Sequence, residues 1–147
     1  MEKSGSYAIT LKAHIIATVP LSCALYFITG KPAPAALSFL SGVFIDLDHI
    51  YDYLLYSKFK FCLSDFFYTC NNYKLTKFYL LLHSFEILVI LWFVYAFTGS
   101  VLLLCFNSGY TLHLLLDQFS NLTRPFSYFH LYRISKSFKD VFRNPAP

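Results

Sequence analysis

The chain has 147 residues, 56% of them hydrophobic and 20% aromatic, with only 14% charged and a formal net charge of +4. A charged fraction this far below the roughly 25% of ordinary soluble domains argues against a soluble core and for one small integral membrane domain. The net positive charge is too small and too scattered for a nucleic-acid binder, and it suits contact with anionic lipid head groups.

Taken in chain order, the apolar runs predict an all-α, four-helix transmembrane bundle over the single domain 1–147, with spans at about 13–30, 35–56, 78–97 and 101–119. Pro20 falls in the first span and is tolerable there as a bend. A signal peptide cleaved near Ala35 is the competing reading of that span, and it would discard His14. Between the second and third spans runs a loop, Lys58 to Lys77, in which Lys58, Lys60, Lys74 and Lys77 interleave with Phe59, Phe61, Phe66, Phe67, Tyr68 and Tyr73. Thr98-Gly99-Ser100 allows only a tight helical hairpin. The tail, 127–143, has amphipathic helical spacing. Leu131, Ile134, Phe138, Val141 and Phe142 fall on one arc, and Arg133, Lys136, Lys139, Asp140 and Arg143 on the other. That pattern fits a helix lying in the membrane interface, with docking against the cytosolic loop as the alternative. Lys3 and Lys12, the loop lysines, and the tail cations Arg124, Arg133, Lys136, Lys139 and Arg143 put both termini and the loop in the cytoplasm, since the other two turns hold only Lys31. The cysteines Cys23, Cys62, Cys70 and Cys105 form no CxxC pair and have no zinc-finger spacing.

Polar residues interrupt these apolar runs. His14, Asp46, Asp48, His49, Asp52, His83, Glu86, His113 and Asp117 all lie within or at the ends of predicted spans. Each charge placed in hydrocarbon costs about 2.5–3.5 kcal/mol on insertion scales. A divalent cation is the agent that satisfies several carboxylates and imidazoles at once. Counting about 1.5 Å per residue from the turns brings Asp46, His83 and His113 to similar depth in the inner leaflet, with His14 entering at the cytosolic end. His113 and Asp117 are four residues apart and share a face; Asp46 and His49, and His83 and Glu86, are three apart. Asp48 points away from Asp46 on a regular helix, so it joins the same centre only if the helix ends or unwinds there. Seven candidate metal ligands result: His14, Asp46, Asp48, His49, His83, His113 and Asp117. Mixed imidazole and carboxylate donors suit zinc, manganese or iron, and the set is large enough for one ion or two.

The run Asp46-Leu47-Asp48-His49, the pair His83-Ser84, and His113-Leu114-Leu115-Leu116-Asp117, with His14 ahead of them, resemble the pattern of a bacterial inner-membrane family of metal-dependent hydrolases, one member of which is LexA-regulated. The likeness covers residues 14–117. Ile45 stands where the family pattern has Pro, and the His-Arg that precedes the family's His-Ser is absent. The resemblance implies a metal-dependent hydrolase in the inner membrane. In that reading Glu86 is the candidate general base, Asp48 bridges metals or supports a ligand, and Lys58, Lys60, Lys74, Lys77 and Arg124 hold the head group of a phosphate-bearing lipid. A non-enzymatic metal-binding or metal-transporting membrane protein is the alternative. A protein whose polar groups only pair among themselves is a third.

Overall fold

The computed structural model describes residues 11–72, 74–120, 124–139 and 141. Lys3, Tyr73, Asp140, Phe142 and Arg143, on which some expectations rest, lie outside the described residues. The described residues form helices and connecting segments with no strand: α1 (Leu11–Thr29), α2 (Pro32–Val43), a 3-10 turn (Phe44–Leu47), α3 (Asp48–Tyr56), α4 (Leu63–Asn71), α5 (Phe85–Thr98), α6 (Val101–Ser120) and α7 (His130–Ser135).

α1 is inverted relative to a surface helix of a soluble protein. The buried residues of α1 are His14, Thr18, Ser22 and Leu25, three of them polar and recurring every fourth position. Its exposed residues include Ile16 (72%), Phe27 (81%) and Ile28 (79%). An apolar exterior of this extent needs a covering phase. Two segments, Leu11–Thr29 and Pro32–Tyr56, are long and apolar enough to cross a membrane. α6 has the length, 20 residues, but its inward face carries Asn107, His113 and Asp117.

α2 packs against α6 on one side and α1 on the other, and small residues set the spacing. A Cβ on Gly109 would overlap the Ser38 carbonyl oxygen and Ser41 Oγ, and one on Gly42 would overlap the Thr18 side chain. The backbones therefore approach closely enough for Ser41 Oγ to donate to the Phe106 carbonyl at 2.7 Å and Thr18 Oγ1 to the Gly42 carbonyl at 3.3 Å.

Three expectations are corrected. The span predicted at 78–97 is helical only from Phe85, where Ser84 Oγ accepts from the Ile87 amide at 3.2 Å as an N-cap. Residues 78–84 run as a non-helical strap, and α5, at 14 residues, is about 21 Å long, short of the roughly 30 Å hydrocarbon core. The run Phe78 to Leu82 is apolar enough to read as helix, but buried acceptors and donors from other elements capture its backbone. Asp52 Oδ2 accepts from the Tyr79 and Leu80 amides at 3.0 and 3.3 Å. Asp48 Oδ2 accepts from the Leu82 and His83 amides at 2.8 and 3.3 Å. Arg133 donates to the Leu80 and His83 carbonyls at 3.0 and 2.9 Å, and Tyr110 donates its hydroxyl to the Leu82 carbonyl. Leu80, fully buried, sits at φ 48°, a left-handed conformation that these bonds impose.

The interfacial tail helix expected over 127–143 is reduced to His130–Ser135 and ends where Ser137 and Phe138 adopt positive φ. Arg133, expected on the solvent arc, is fully buried against the strap. The Phe138 ring packs tilted against Tyr79 with centroids 4.6 Å apart, and Val141 joins a buried cluster with Leu75, Phe78, Leu80 and Tyr128. The docked arrangement therefore replaces the interfacial one. The loop between Lys58 and Lys77 also contains the helix α4, which Asp65 ties to α3 by accepting from the Tyr53 hydroxyl at 2.8 Å.

Candidate metal centre

Each ligand-bearing residue reaches the centre by a different local device. His14 projects from the polar face of α1. His113 and Asp117 project from α6, one turn apart. Asp46 sits in the 3-10 turn, where the chain tightens between α2 and α3, and His49 follows in the first turn of α3. His83 comes from the strap, whose hydrogen bonds to Asp48 and Arg133 fix it from both sides.

The side chains converge. His14 Nε2 lies 3.2 Å from Asp117 Oδ1 and 3.8 Å from Asp46 Oδ2. His83 Nε2 lies 3.1 Å from Asp117 Oδ2 and 3.3 Å from Asp46 Oδ1. His113 Nε2 lies 3.2 Å from Asp117 Oδ2 and 3.5 Å from Asp46 Oδ1. His49 Nε2 is 3.7 Å from Asp46 Oδ1. The rings of His14 and His113 stack at 4.2 Å. Neighbouring donors around a tetrahedral ion with bonds of about 2.0–2.1 Å stand about 3.3 Å apart, so these separations match a metal coordination shell. His14, His83 and His113 are fully buried and Asp117 nearly so, while Asp46 keeps 31% of its side chain exposed and His49 22%. The centre is thus closed on the α1 and α6 side and open at Asp46 and His49.

Proton placement sharpens this. His83 Nδ1 faces the Asp48 carboxylate at 3.0 Å, so it carries a proton, and in the neutral ring Nε2 presents a lone pair. His113 Nδ1 faces the Gly42 carbonyl at 3.1 Å, which fixes the same tautomer. The two Nε2 atoms then stand 3.1 Å apart, each also beside carboxylate oxygens, with acceptors on every side. With both rings neutral, a cation between these atoms would satisfy them together. An imidazole whose other nitrogen is held by a carboxylate or a carbonyl is the usual dress of a metal ligand.

Of the predicted metal ligands, six come together: His14, Asp46, His49, His83, His113 and Asp117. Asp48 does not join them. It sits behind His83, holding the imidazole and two strap amides, so bridging is ruled out by position. Glu86, expected as general base, spends its carboxylate on the Ser84 hydroxyl at 2.8 Å and the Leu131 amide at 3.2 Å. Lys58, Lys60, Lys77 and Arg124 are exposed, and Lys74 donates to the Tyr68 hydroxyl at 2.9 Å while lying over that ring. Sequence reasoning missed Tyr110 and Arg133. Tyr110 stands one turn before His113 on α6 and was readable from that spacing. Nothing in the sequence separates Arg133 from a surface cation. Comparison with known protein families, with curated proteins and with solved structures finds no match.

Proposed function

We propose that this chain is a membrane-embedded, metal-dependent hydrolase of the bacterial inner membrane. It crosses four times, with both termini cytoplasmic, and acts on a phosphate-bearing lipid of the cytosolic leaflet. The observation that carries the reading is the convergence of the His83 and His113 Nε2 atoms with the Asp46 and Asp117 carboxylates, in a cluster with one partly exposed edge. The apolar exterior and polar interior of α1 support burial in a bilayer, and the strap before α5 supplies the length that α5 lacks for a crossing. The strap's irregular backbone suits such a setting, because its polar groups are matched by buried protein partners.

The donor set fits zinc first, with manganese or iron also accommodated. His14, His83, His113, Asp46 and Asp117 would hold the ion, which when bound lowers the pKa of a water and polarises the bond to be broken. Asp48 orients His83. Gly42 orients His113. Asp46 and His49 form the mouth through which a head group reaches the centre. Lys58, Lys60, Lys77 and Arg124 are free to attract the phosphate, with Lys74 on the same loop. Glu86 is not placed to take a proton at the centre, so proton removal falls to groups at the mouth.

Purified protein loaded with zinc or manganese should cleave members of a panel of phospholipids and polyprenyl phosphates, and His113→Ala should abolish cleavage. Absence of turnover across the panel at full metal occupancy counts against the reading. One observation favours metal movement instead: Thr18, Ser22, Ser38 and Asn107 are turned into the protein interior. Metal flux into proteoliposomes, blocked by His14→Ala, would establish that second reading.

A further inference from the structure

The six converging ligands exceed what one tetrahedral ion uses, and their geometry divides them. One set of donor atoms, from His14, Asp46, His113 and Asp117, lies mutually within 4.8 Å, and a second set does so from Asp46, His49 and His83. Asp46 belongs to both. Its two oxygens face different imidazoles: Oδ2 faces His14, while Oδ1 faces His49, His83 and His113. Asp117 also spans the cluster, with Oδ1 toward His14 and Oδ2 toward both His83 and His113, and its set of mutually close donors is the one with His14, Asp46 and His113.

Resting on the metallohydrolase reading, we propose that the centre is dinuclear, with Asp46 as the shared ligand. The first ion is held by His14, Asp46, His113 and Asp117. The second is held by Asp46, His49 and His83. The two sites differ in kind. Four protein donors, three of them buried, fill a tetrahedral shell and leave no position for substrate, the arrangement of a structural ion. Three protein donors leave one position open, the arrangement of a catalytic ion. The open site contains the two partly exposed ligands, Asp46 and His49, so its vacant position would face the mouth. Asp48 belongs to this site as well, because its carboxylate holds His83 Nδ1 from behind. His49 Nδ1, like His14 Nδ1, has no hydrogen-bond partner among the described residues, and with one protein donor fewer the second ion is the weaker and more exchangeable of the two. The ligand assigned to the open position is a phosphate oxygen, since a hard anionic oxygen donor suits zinc or manganese beside two imidazoles.

The test loads chelator-stripped, full-length protein in detergent with manganese alone. Bound metal is counted by elemental analysis and the spin state is read by electron paramagnetic resonance. Wild type should bind about two equivalents and give an exchange-coupled spectrum. His49→Ala and His49→Gln should each bind about one equivalent and give the six-line spectrum of an isolated ion, at unchanged size-exclusion profile. The partly exposed position of His49 makes both variants compatible with folding, and agreement between them separates ligation from packing. Wild type that binds one equivalent, unchanged in both variants, overturns the second ion and leaves the metallohydrolase reading standing. Wild type that binds no metal overturns both.

Discussion

Asp48 offers the sharpest single perturbation. Its carboxylate accepts from His83 Nδ1 at 3.0 Å, from the Leu82 amide at 2.8 Å and from the His83 amide at 3.3 Å. Truncation to Ala would leave these three buried donors unsatisfied at about 1–3 kcal/mol each, a loss comparable to the whole stability of about 5–15 kcal/mol of a typical domain. Asp48→Ala should therefore yield little folded protein. Asp48→Asn is the informative change. It keeps one oxygen for the strap amides and removes the charge that holds the imidazole in its ligating tautomer. Loss of such a carboxylate behind a ligating histidine weakens metal binding by about 10–100-fold, or roughly 1.4–2.7 kcal/mol. The assay is competition for zinc against a chelator of known affinity, paired with thermal unfolding of the metal-free protein in detergent. The expected result is weaker zinc binding, with the metal-free unfolding temperature moved far less than in the Ala variant. An affinity within twofold of wild type would refute the assignment of Asp48 to His83.

Other positions test the frame around the centre. Gly109→Ala places a methyl against the Ser38 carbonyl and should destabilise the α2–α6 contact by about 1–3 kcal/mol, seen as a lower unfolding temperature. An unchanged temperature would mean that the helices do not approach so closely. Arg133→Ala removes the donors to the Leu80, His83 and Ser127 carbonyls and should release the strap, read as new protease cleavage within 78–84, whereas an exposed Arg would be silent. The cysteines of the loop should differ in reactivity. The Ser64 hydroxyl beside exposed Cys62 lowers its thiol pKa, while burial raises that of Cys70 to about 12. Because a lowered pKa keeps the thiolate present at lower pH, iodoacetamide should modify Cys62 at neutral pH and leave Cys70 unmodified until the pH is strongly alkaline. Equal rates at the two positions would contradict the placement of α4.

Much of the centre was legible because ligand chemistry leaves local signatures. The four-residue spacing of His113 and Asp117, and the three-residue spacing of Asp46 and His49, put pairs on one face before any fold was known. The polar positions of α1 were visible too, since His14, Thr18 and Ser22 recur at helical period. The strap was not legible. Phe78-Tyr79-Leu80-Leu81-Leu82 has the composition of a helix, and what unwinds it is distant in sequence: Asp48 and Asp52 from α3, Arg133 from α7 and Tyr110 from α6. Hydrophobic periodicity reports a segment's surroundings, not which buried carboxylate will capture its amides. The same long-range contest misplaced Glu86, which spends its carboxylate on the Ser84 hydroxyl and the Leu131 amide. Of the two roles open to Asp48, bridging and supporting a ligand, its position behind His83 matches the second. The tail misled for a related reason, since an arginine on a polar arc reads the same whether it meets water or unpaired carbonyls.

The claim on which the rest depends is that the imidazoles of His14, His83 and His113 and the carboxylates of Asp46 and Asp117 surround a metal ion. Elemental analysis of protein purified gently and without chelator tests it most directly, with His113→Ala purified in parallel. The account predicts at least about one equivalent of zinc, manganese or iron per wild-type chain and a loss of most of it in the variant. Metal near zero in well-folded wild type, or the same content in both proteins, would contradict it.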